Sequence, residues 1–276
     1  MMSFLETAQG VRIHYETAGD GPTLVFLHGW AMSGRVWRFQ EGLADRYRLV
    51  VPDLRGHGLS SAPDSGYSHA NFADDLVALF EALGLDNAVL IAWSMGVQVA
   101  LQAYPLLEER LAALVFVSGA PRFTAGVDYP HGLPSVETRG MALRLKRDHA
   151  GTVSDFSRKM FAEGELHQRQ CERMIFEAIR SESPAYHALQ ESLASLASAD
   201  LRTVLPSVAL PVLLIHGSAD TICPPSASRY MAGQLPDARL VVMEGVGHAP
   251  FLSRSAEFTV LLTKFLDGIH ADDRPA

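Results

Sequence analysis

Three side chains of the types used in acyl transfer each follow an apolar run that predicts a buried strand. The first is Ser94, in Ala92-Trp93-Ser94-Met95-Gly96, between such a run and a helix-compatible segment. A serine on a sharp strand-to-helix turn presents its hydroxyl to a reactant. Small residues two positions before and after it let the two backbones pass closely. Ala92 stands where the usual pattern has glycine, and it adds only a methyl group. The pattern predicts Ser94 as a nucleophile.

A serine hydroxyl needs a base within hydrogen-bond reach and a third group that orients this base. Asp220 lies in the loop after Ile215-His216-Gly217, and His248 lies in a glycine-flanked loop after the last predicted strand. The order Ser94, Asp220, His248 differs from the orders of the two well-known serine protease groups. All three follow carboxyl ends of strands, where catalytic groups gather in open α/β sheets. We therefore predict a catalytic triad.

The negative oxygen of an acyl-transfer intermediate needs hydrogen-bond donors, usually two backbone N–H groups. Leu27-His28-Gly29-Trp30 leaves an early strand as a turn, so the amide of Trp30 can face the site, and the amide of Met95 follows the nucleophile. We predict these two N–H groups as the oxyanion pair, with His28 as a support of the turn. The segment Asp53 to Gly58 is interpreted as a turn without chemistry.

The elements that must position these residues alternate between strand and helix, which predicts a mostly parallel α/β sheet. A helix is predicted over Asn71 to Leu83, with an Asn cap in front. Further helices are expected at Ser226 to Gln234 and Ser255 to Leu266. The predicted strands are Val11 to Tyr15, Thr23 to Leu27, Leu49 to Val51, Ala88 to Ala92, Leu114 to Ser118, Val212 to His216 and Arg239 to Met243.

The stretch between the two parts of the sheet shows no convincing strand and is mostly helix-compatible, as at Ser154 to Ala162 and Gln168 to Ile179. We interpret residues 121–206 as a helical cap inserted into a core made of residues 1–120 and 207–276. The cap contains 11 Lys/Arg and 11 Asp/Glu residues, whereas the core contains 12 and 20. Between positions 139 and 159 the basic residues are Arg139, Arg144, Lys146, Arg147, Arg158 and Lys159, against only Asp148 and Asp155.

Composition limits the class of protein. The chain has 276 residues, 48% of them hydrophobic, enough for one large α/β domain. A net charge of −8 argues against a general nucleic-acid binder. No segment has the length and apolarity of a membrane span, and the N-terminal residues lack a signal-peptide pattern, so we expect a cytoplasmic protein. Cys171 and Cys223 are expected to be structural thiols, no metal site is predicted, and the tail 271–276 is expected to fray.

Across nearly its whole length the chain resembles the α/β-hydrolase family, through H-G-W, D-L-R-G-H-G, A-W-S-M-G, H-G-S-A-D and G-V-G-H-A-P-F. It resembles in particular the pimeloyl-carrier-protein methyl ester esterases of biotin synthesis. This second resemblance rests on Leu27 to Trp30, Val36-Trp37-Arg38, Trp93-Ser94, Ser118 to Phe123, Asp200-Leu201-Arg202 and His248 to Phe251. It implies an α/β-hydrolase fold, a mostly parallel sheet flanked by helices with an inserted helical cap, and no cofactor.

The resemblance also implies a substrate and a set of lid residues. Ser94 would attack the methyl ester of a pimeloyl chain delivered by acyl carrier protein, and water activated by His248 would free it. Phe156 occupies the place of an aromatic lid residue that touches the acyl chain. The substrate-binding residues implied are Trp30, Ser94, Met95, Phe156, Ser157, Arg158, Lys159, Met160 and His248.

A basic lid would suit an acidic carrier protein. Gly151 and Asp155 stand where the relatives would have basic residues, while Arg158, Lys159, Arg169 and Arg173 lie nearby. These basic residues fit either a carrier-docking surface or a solvated helix face.

Three alternatives stay open at the level of sequence. One is a general esterase for short acyl esters without a carrier partner. Another is a small-ligand receptor that retains the triad as a binding pocket. Peroxidase-like, lactone-hydrolysing and C–C-cleaving activities also remain open because the fold alone does not choose among them. Dehalogenases and epoxide hydrolases of this fold use an aspartate at the turn, so Ser94 argues against them.

Overall fold

A computed structural model of the chain describes residues 2–174, 178–179 and 184–269. An eight-stranded sheet lies at its centre, in the order β1-β2-β4-β3-β5-β6-β7-β8. Strands β1 and β2 are antiparallel to their neighbours, and the rest pair in parallel. The strands are β1 (Met2–Glu6), β2 (Arg12–Ala18), β3 (Thr23–Leu27), β4 (Arg48–Pro52), β5 (Ala88–Trp93), β6 (Leu111–Val117), β7 (Val212–Gly217) and β8 (Ala238–Met243).

The inner strands explain the continuous apolar runs of the sequence. Every residue of β3, β5 and β7 is buried because helices cover both faces of the sheet. Strand β1 was not among the predicted strands. Its residues alternate between exposed and half-buried at the sheet edge, so the segment Met2–Glu6 has no apolar run that would indicate a strand.

The helices are α1 (His69–Leu83), α2 (Met95–Leu107), α3 (Ser135–Arg147), α4 (His149–Lys159), α5 (Gln168–Met174), α6 (Tyr186–Ser198), α7 (Pro225–Gln234), α8 (Pro250–Ser253) and α9 (Ser255–Ile269). The predicted Asn cap of α1 was wrong. Ser68 is the cap, because its extended backbone lets its hydroxyl oxygen accept the N–H of Asn71, which lies inside the helix.

Helices α3 to α6 lie between β6 and β7 in the chain, in the stretch predicted as a cap. The two ends of this stretch run side by side: the N–H of Leu201 donates to the carbonyl of Pro121 at 2.9 Å. Arg122 and Arg202 both form ion pairs with Asp128 and Asp200. The cap boundaries themselves, 121 and 206, remain a proposal.

Three expectations concern residues beyond this description. The helix expected over 168–179 is described only as α5, Gln168–Met174, and the side chain of Cys171 and the tail 271–276 are outside the described residues. Within the described part of the chain, no helix is long and apolar enough to cross a membrane.

Candidate active site

The turn at Ser94 has the backbone geometry of a strained nucleophile. Ser94 has φ 57° and ψ −118°, between the end of β5 and the start of α2. A non-glycine residue in such a conformation costs about 1–3 kcal/mol and persists only when the surroundings hold it. Two hydrogen bonds do so: the N–H of Ser94 donates to the carbonyl of Val117, and its carbonyl accepts the N–H of Val97. The hydroxyl is thereby directed away from both elements.

Ser94, His248 and Asp220 form one hydrogen-bonded chain. Nε2 of His248 lies 2.9 Å from Oγ of Ser94, and Nδ1 of His248 lies 2.7 Å from Oδ2 of Asp220. Because the carboxylate only accepts, Nδ1 carries a proton and Nε2 is left to accept the serine hydroxyl. Strand β5 delivers Ser94, while Asp220 and His248 follow β7 and β8. All three loops meet at the carboxyl edge of the parallel strands.

The triad is almost fully buried. Ser94 exposes 7% of its surface, and the side chains of His248 and Asp220 are inaccessible. Burial, the largest influence, would raise the pKa of Asp220, but the charge of His248 and hydrogen bonds from His216 and His248 outweigh it. The pKa of Asp220 is therefore held well below its ordinary value, so the acid stays ionised. An ionised acid keeps the imidazole of His248 in the orientation that faces Ser94.

The turn after β3 lies directly against the nucleophile. A Cβ on Gly29 would come within 2.9 Å of Cβ of Ser94, and one on Gly96 within 2.8 Å of the carbonyl oxygen of His28. Only glycine permits this approach. Trp30 and Met95, the predicted oxyanion pair, are the residues next to Gly29 and Ser94, and both are buried. Their backbone amides thus belong to the two segments that meet at the hydroxyl of Ser94.

His28 and Asp53 hold this turn from behind. Nδ1 of His28 lies 2.8 Å from the carbonyl oxygen of Gly29, and its Nε2 accepts the N–H of Leu54. A carboxylate oxygen of Asp53 accepts the N–H of Gly34 at 2.7 Å. Burial lowers the pKa of His28 despite the nearby charge of Asp53, so the ring is neutral near pH 7. These contacts agree with the supporting position expected for His28.

Two aromatic contacts bring the cap to the triad. The ring of Phe156, in α4, packs edge-on against Trp30 at 5.2 Å and lies 6.4 Å from the ring of His248. The indole N–H of Trp30 also donates to the carbonyl of Leu189 in α6, at 3.0 Å. The cap therefore contacts the site through α4 and α6, and the ring of Phe156 lies next to Trp30 and His248.

The segment after α4 also contacts the loop of the base. The N–H of His248 donates to the carbonyl of Met160 at 2.7 Å. The carboxylate of Glu165 accepts the N–H of Gly247 at 2.9 Å and that of Ala162 at 2.6 Å. Two backbone amides at the base thus have acceptors on the cap.

The five consecutive lid residues expected from the sequence do not all face the triad. Phe156 and Met160 are buried, one helical turn apart. Ser157 is also buried, but its hydroxyl donates to the carbonyl of Val153. Arg158 and Lys159 lie on the exposed side of α4, and Arg158 forms a 3.8 Å surface ion pair with Asp155. The structure therefore brings Phe156 and Met160 to the site and leaves the two basic residues facing solvent.

Sequence reasoning missed two groups at the site, His216 and Glu165. His216 lies four residues before Asp220, and its ring contacts the same carboxylate. Its position in the H-G-S-A-D motif was a signal that could have identified it. Glu165 gave no such signal, because its partner Gly247 is 82 residues away.

A cleft of about 930 Å³ opens elsewhere, between β2, β4 and the turn segment Gly34–Asp45. Its lining includes His14, Glu16, Arg35 and Arg38, but none of Ser94, Asp220 and His248. The triad is therefore not part of this cleft and lies instead next to α4 and α6 of the cap.

The chain matches known proteins along most of its length. The family model of the alpha/beta hydrolase fold matches residues 22–255. The pimeloyl-[acyl-carrier protein] methyl ester esterase of Nitrosomonas europaea is 38% identical over 250 residues, 89% of this chain and 96% of that protein. The esterase of the same name from Aliivibrio salmonicida is 33% identical, over 92% and 95%.

A solved structure shows the same architecture. The esterase EaEST from Exiguobacterium antarcticum superposes with a TM-score of 0.90 at 29% sequence identity, over 97% of this chain and 100% of that one. The similarity extends over the segment of the cap as well as over the sheet.

Proposed function

Because the chain belongs to the α/β-hydrolase fold family, we propose that it is a serine esterase of the cytoplasm that hydrolyses the methyl ester of pimeloyl-acyl carrier protein in biotin synthesis. One observation carries the chemistry: the hydrogen-bonded chain from Ser94 through His248 to Asp220. The relatives with 31–38% identity support the ester-hydrolase class and the choice of substrate, because their names state that ester.

The reaction begins when His248 takes the proton of the Ser94 hydroxyl as its oxygen attacks the ester carbonyl. The carbonyl oxygen becomes negative and is stabilised by the backbone N–H groups of Trp30 and Met95. Preorganised donors of this kind contribute about 10²–10³-fold each to kcat. The intermediate collapses as His248 gives its proton to the methoxy oxygen, and methanol leaves.

The acyl group is then bound to Ser94 as an ester. Water enters, His248 accepts one of its protons, and the hydroxide attacks the acyl carbon. Collapse returns the proton from His248 to Oγ of Ser94 and frees the carboxylic acid. Asp220 stays ionised throughout, and its role is to orient and stabilise the imidazole. Phe156 and Met160 would contact the apolar acyl chain.

The carrier protein is proposed to dock on the outer side of the cap. Helix α3 carries the exposed apolar residues Val136 and Leu143, seven positions apart on one side of the helix. Arg139 and Arg147 are exposed beside them, so α3 presents an apolar stripe with a basic border. An acidic carrier protein would be attracted to this border, because complementary charge speeds association. Arg158 and Lys159 are also exposed, on α4, and Arg158 is paired there with Asp155.

The deciding experiment compares three substrates: methyl pimeloyl-carrier protein, free methyl pimelate and a p-nitrophenyl ester of a short acid. We expect kcat/KM for the carrier-linked ester to exceed that for free methyl pimelate by at least about tenfold, the effect of 1.4 kcal/mol of additional binding. Equal values would overturn the carrier proposal in favour of a general short-acyl esterase. Binding of the esters with no turnover would instead indicate a receptor that retains the triad.

A further inference from the structure

Two imidazoles, not one, contact the carboxylate of Asp220. Nε2 of His216 lies 3.1 Å from Oδ2 of Asp220, the same oxygen that His248 approaches at 2.7 Å. His216 is the next-to-last residue of β7, and its side chain is inaccessible to solvent. The other carboxylate oxygen, Oδ1, accepts the backbone N–H groups of Ile222 and Cys223 at 2.8 and 3.0 Å.

The partners of His216 determine where its proton lies. Nε2 contacts two acceptors, Oδ2 of Asp220 and the carbonyl oxygen of Cys223 at 2.9 Å. It therefore carries a proton in the neutral as well as in the charged ring. Nδ1 lies 2.7 Å from Oγ of Ser228, a fully buried residue of α7 whose hydroxyl can donate or accept. Ser228 thus fixes the orientation of the ring from the opposite side.

We propose that His216 is a positioning residue for the triad: its Nε2–H holds Oδ2 of Asp220 in line with His248 and withdraws negative charge from it. This inference rests on the proposed catalytic roles of Ser94, His248 and Asp220. A carboxylate oxygen that already accepts one N–H attracts a second imidazolium less strongly. His216 therefore sets how readily His248 releases the proton that it must give to the leaving group.

Within the part of the chain that the structure describes, a further titratable neighbour of Asp220 is Cys223. Burial, and then the charge of Asp220, raises the pKa of this thiol well above its ordinary value, so it stays neutral. Among the described residues, the groups that can change charge at Asp220 are thus its own carboxylate and the two imidazoles, while the backbone N–H groups of Ile222 and Cys223 are fixed donors to Oδ1. Any change of charge or of N–H donation at position 216 must act on His248 through the carboxylate.

The test uses hydrolysis of a p-nitrophenyl ester as a function of pH. His216→Leu removes both ring nitrogens, whereas His216→Gln keeps an N–H donor on a side chain that can reach Asp220. We expect His216→Leu to lower kcat about tenfold and to move the acid limb of kcat/KM upward by about half a pH unit or more. The limb moves up because a more basic carboxylate stabilises the charged form of His248. His216→Gln should restore most of both values.

A matched control for His216→Leu is a second buried histidine–aspartate pair in the described part of the chain. Nδ1 of His14 lies 2.8 Å from Oδ2 of Asp53, and both side chains are almost fully buried. His14→Leu therefore loses a contact of the same kind on an aspartate that supports the turn after β3 but does not contact His248. It should lower stability, and kcat to the extent that the turn shifts, but leave the position of the acid limb unchanged. The position of the limb therefore separates positioning of His248 from a general loss of folding.

Proton NMR supplies a readout that does not depend on activity. The Nδ1 proton of His248, held by Asp220, should resonate at low field and move in His216→Leu but not in His14→Leu. In the wild-type protein with ¹⁵N-labelled histidine, Nε2 of His216 should carry a proton. An unprotonated Nε2, or an unchanged pH profile and resonance in His216→Leu, would overturn the proposal.

The wild-type measurement decides the matter even if His216→Leu does not fold. Ser228→Ala adds a second variant, expected to shift the acid limb less than His216→Leu. Because the substrate is a small aryl ester, failure of this inference is distinct from failure of the carrier proposal. If only the carrier proposal failed, the pH profiles of the His216, Ser228 and His14 variants with the aryl ester would still follow these expectations.

Discussion

The backbone N–H of His248 donates to the carbonyl oxygen of Met160 at 2.7 Å, so the loop of the base is fastened to the cap. Glu165 adds a second connection through the N–H of Gly247. On the other side of the site, the indole of Trp30 is hydrogen-bonded to Leu189. Both His248 and Trp30, a residue of the proposed oxyanion pair, therefore have hydrogen bonds to the cap that help to hold them.

The first prediction concerns Glu165. Glu165→Ala leaves the amides of Ala162 and Gly247 without their acceptor, which costs about 1–3 kcal/mol when such groups are buried. We expect kcat for a p-nitrophenyl ester to fall at least about threefold and the urea midpoint to decrease. Glu165→Gln retains a carbonyl oxygen and should keep most of the activity. Full activity in Glu165→Ala would show that the cap does not help to position His248.

The second prediction concerns the nucleophile. Ser94→Ala removes the attacking oxygen, so we expect kcat for every ester to fall by roughly 10⁴-fold or more. The fold should be retained, because among the described residues the contact of the hydroxyl is the hydrogen bond to His248 and not a contact within the core. Circular dichroism and the urea midpoint check the fold, and burst-phase kinetics check the acyl-enzyme. Substantial turnover by Ser94→Ala would exclude the triad mechanism.

The third prediction concerns the basic border of α3. Reversal of two charges in Arg139→Glu/Arg147→Glu should raise KM for the carrier-linked ester about tenfold at low salt, with less effect at high salt because ions screen exposed charges. Hydrolysis of the p-nitrophenyl ester should stay unchanged.

A matched control for α3 is Arg229→Glu/Arg239→Glu, which makes the same change of net charge at exposed positions of the core. If this control raised KM as much as the α3 variant, net charge rather than a docking surface would be responsible.

The fourth prediction concerns acid stability. Burial lowers the pKa of His57 to about 3, with help from the neighbouring His28, and lowers the pKa of His69 to about 4. In the unfolded chain both titrate near 6.5, so the unfolded state binds more protons below that pH. The contribution of the two neutral rings to the free energy of unfolding is fully present above pH 6.5. It is lost as the pH falls toward their folded-state pKa values of about 3 and about 4.

We expect the free energy of unfolding to decrease by roughly 2 kcal/mol per histidine between pH 7 and pH 5. Urea titrations at the two pH values measure the change. His69→Gln, which cannot titrate there, should flatten the decrease by about half. An equal slope in His69→Gln would show that this ring is protonated in the folded protein.

The fold and the triad were accessible from the sequence because both depend on local signals. Fully buried strands such as β5 and β7 appear as uninterrupted apolar runs, and each of Ser94, Asp220 and His248 follows one strand end. Phe156 and Met160 are four residues apart, so helical spacing already places them on one side of α4. The same spacing puts Arg158 on the other side, which the prediction of five consecutive lid residues did not take into account.

The contacts that complete the site were not accessible in this way. Leu189 is 159 residues from Trp30 in sequence, and Glu165 is 82 from Gly247. Which cap residue meets which core residue depends on how α4 and α6 pack, and no local periodicity encodes it. Strand β1 was not predicted for a different reason. It lies at the sheet edge, where hydrogen-bonded pairing with β2 stabilises it more than burial of its side chains does.

The three tryptophans of the chain are Trp30, Trp37 and Trp93, and all are buried; Trp30 and Trp93 contact groups of the site, whereas Trp37 lines the separate cleft. Trp30 is bonded to Leu189 of the cap, and Trp93 donates its indole N–H to the carbonyl of His248. Displacement of the cap would hydrate the first ring while Trp37, stacked on Phe251, kept its surroundings. The protein thus contains its own fluorescent probe, whose emission can be followed in real time while an unlabelled substrate enters.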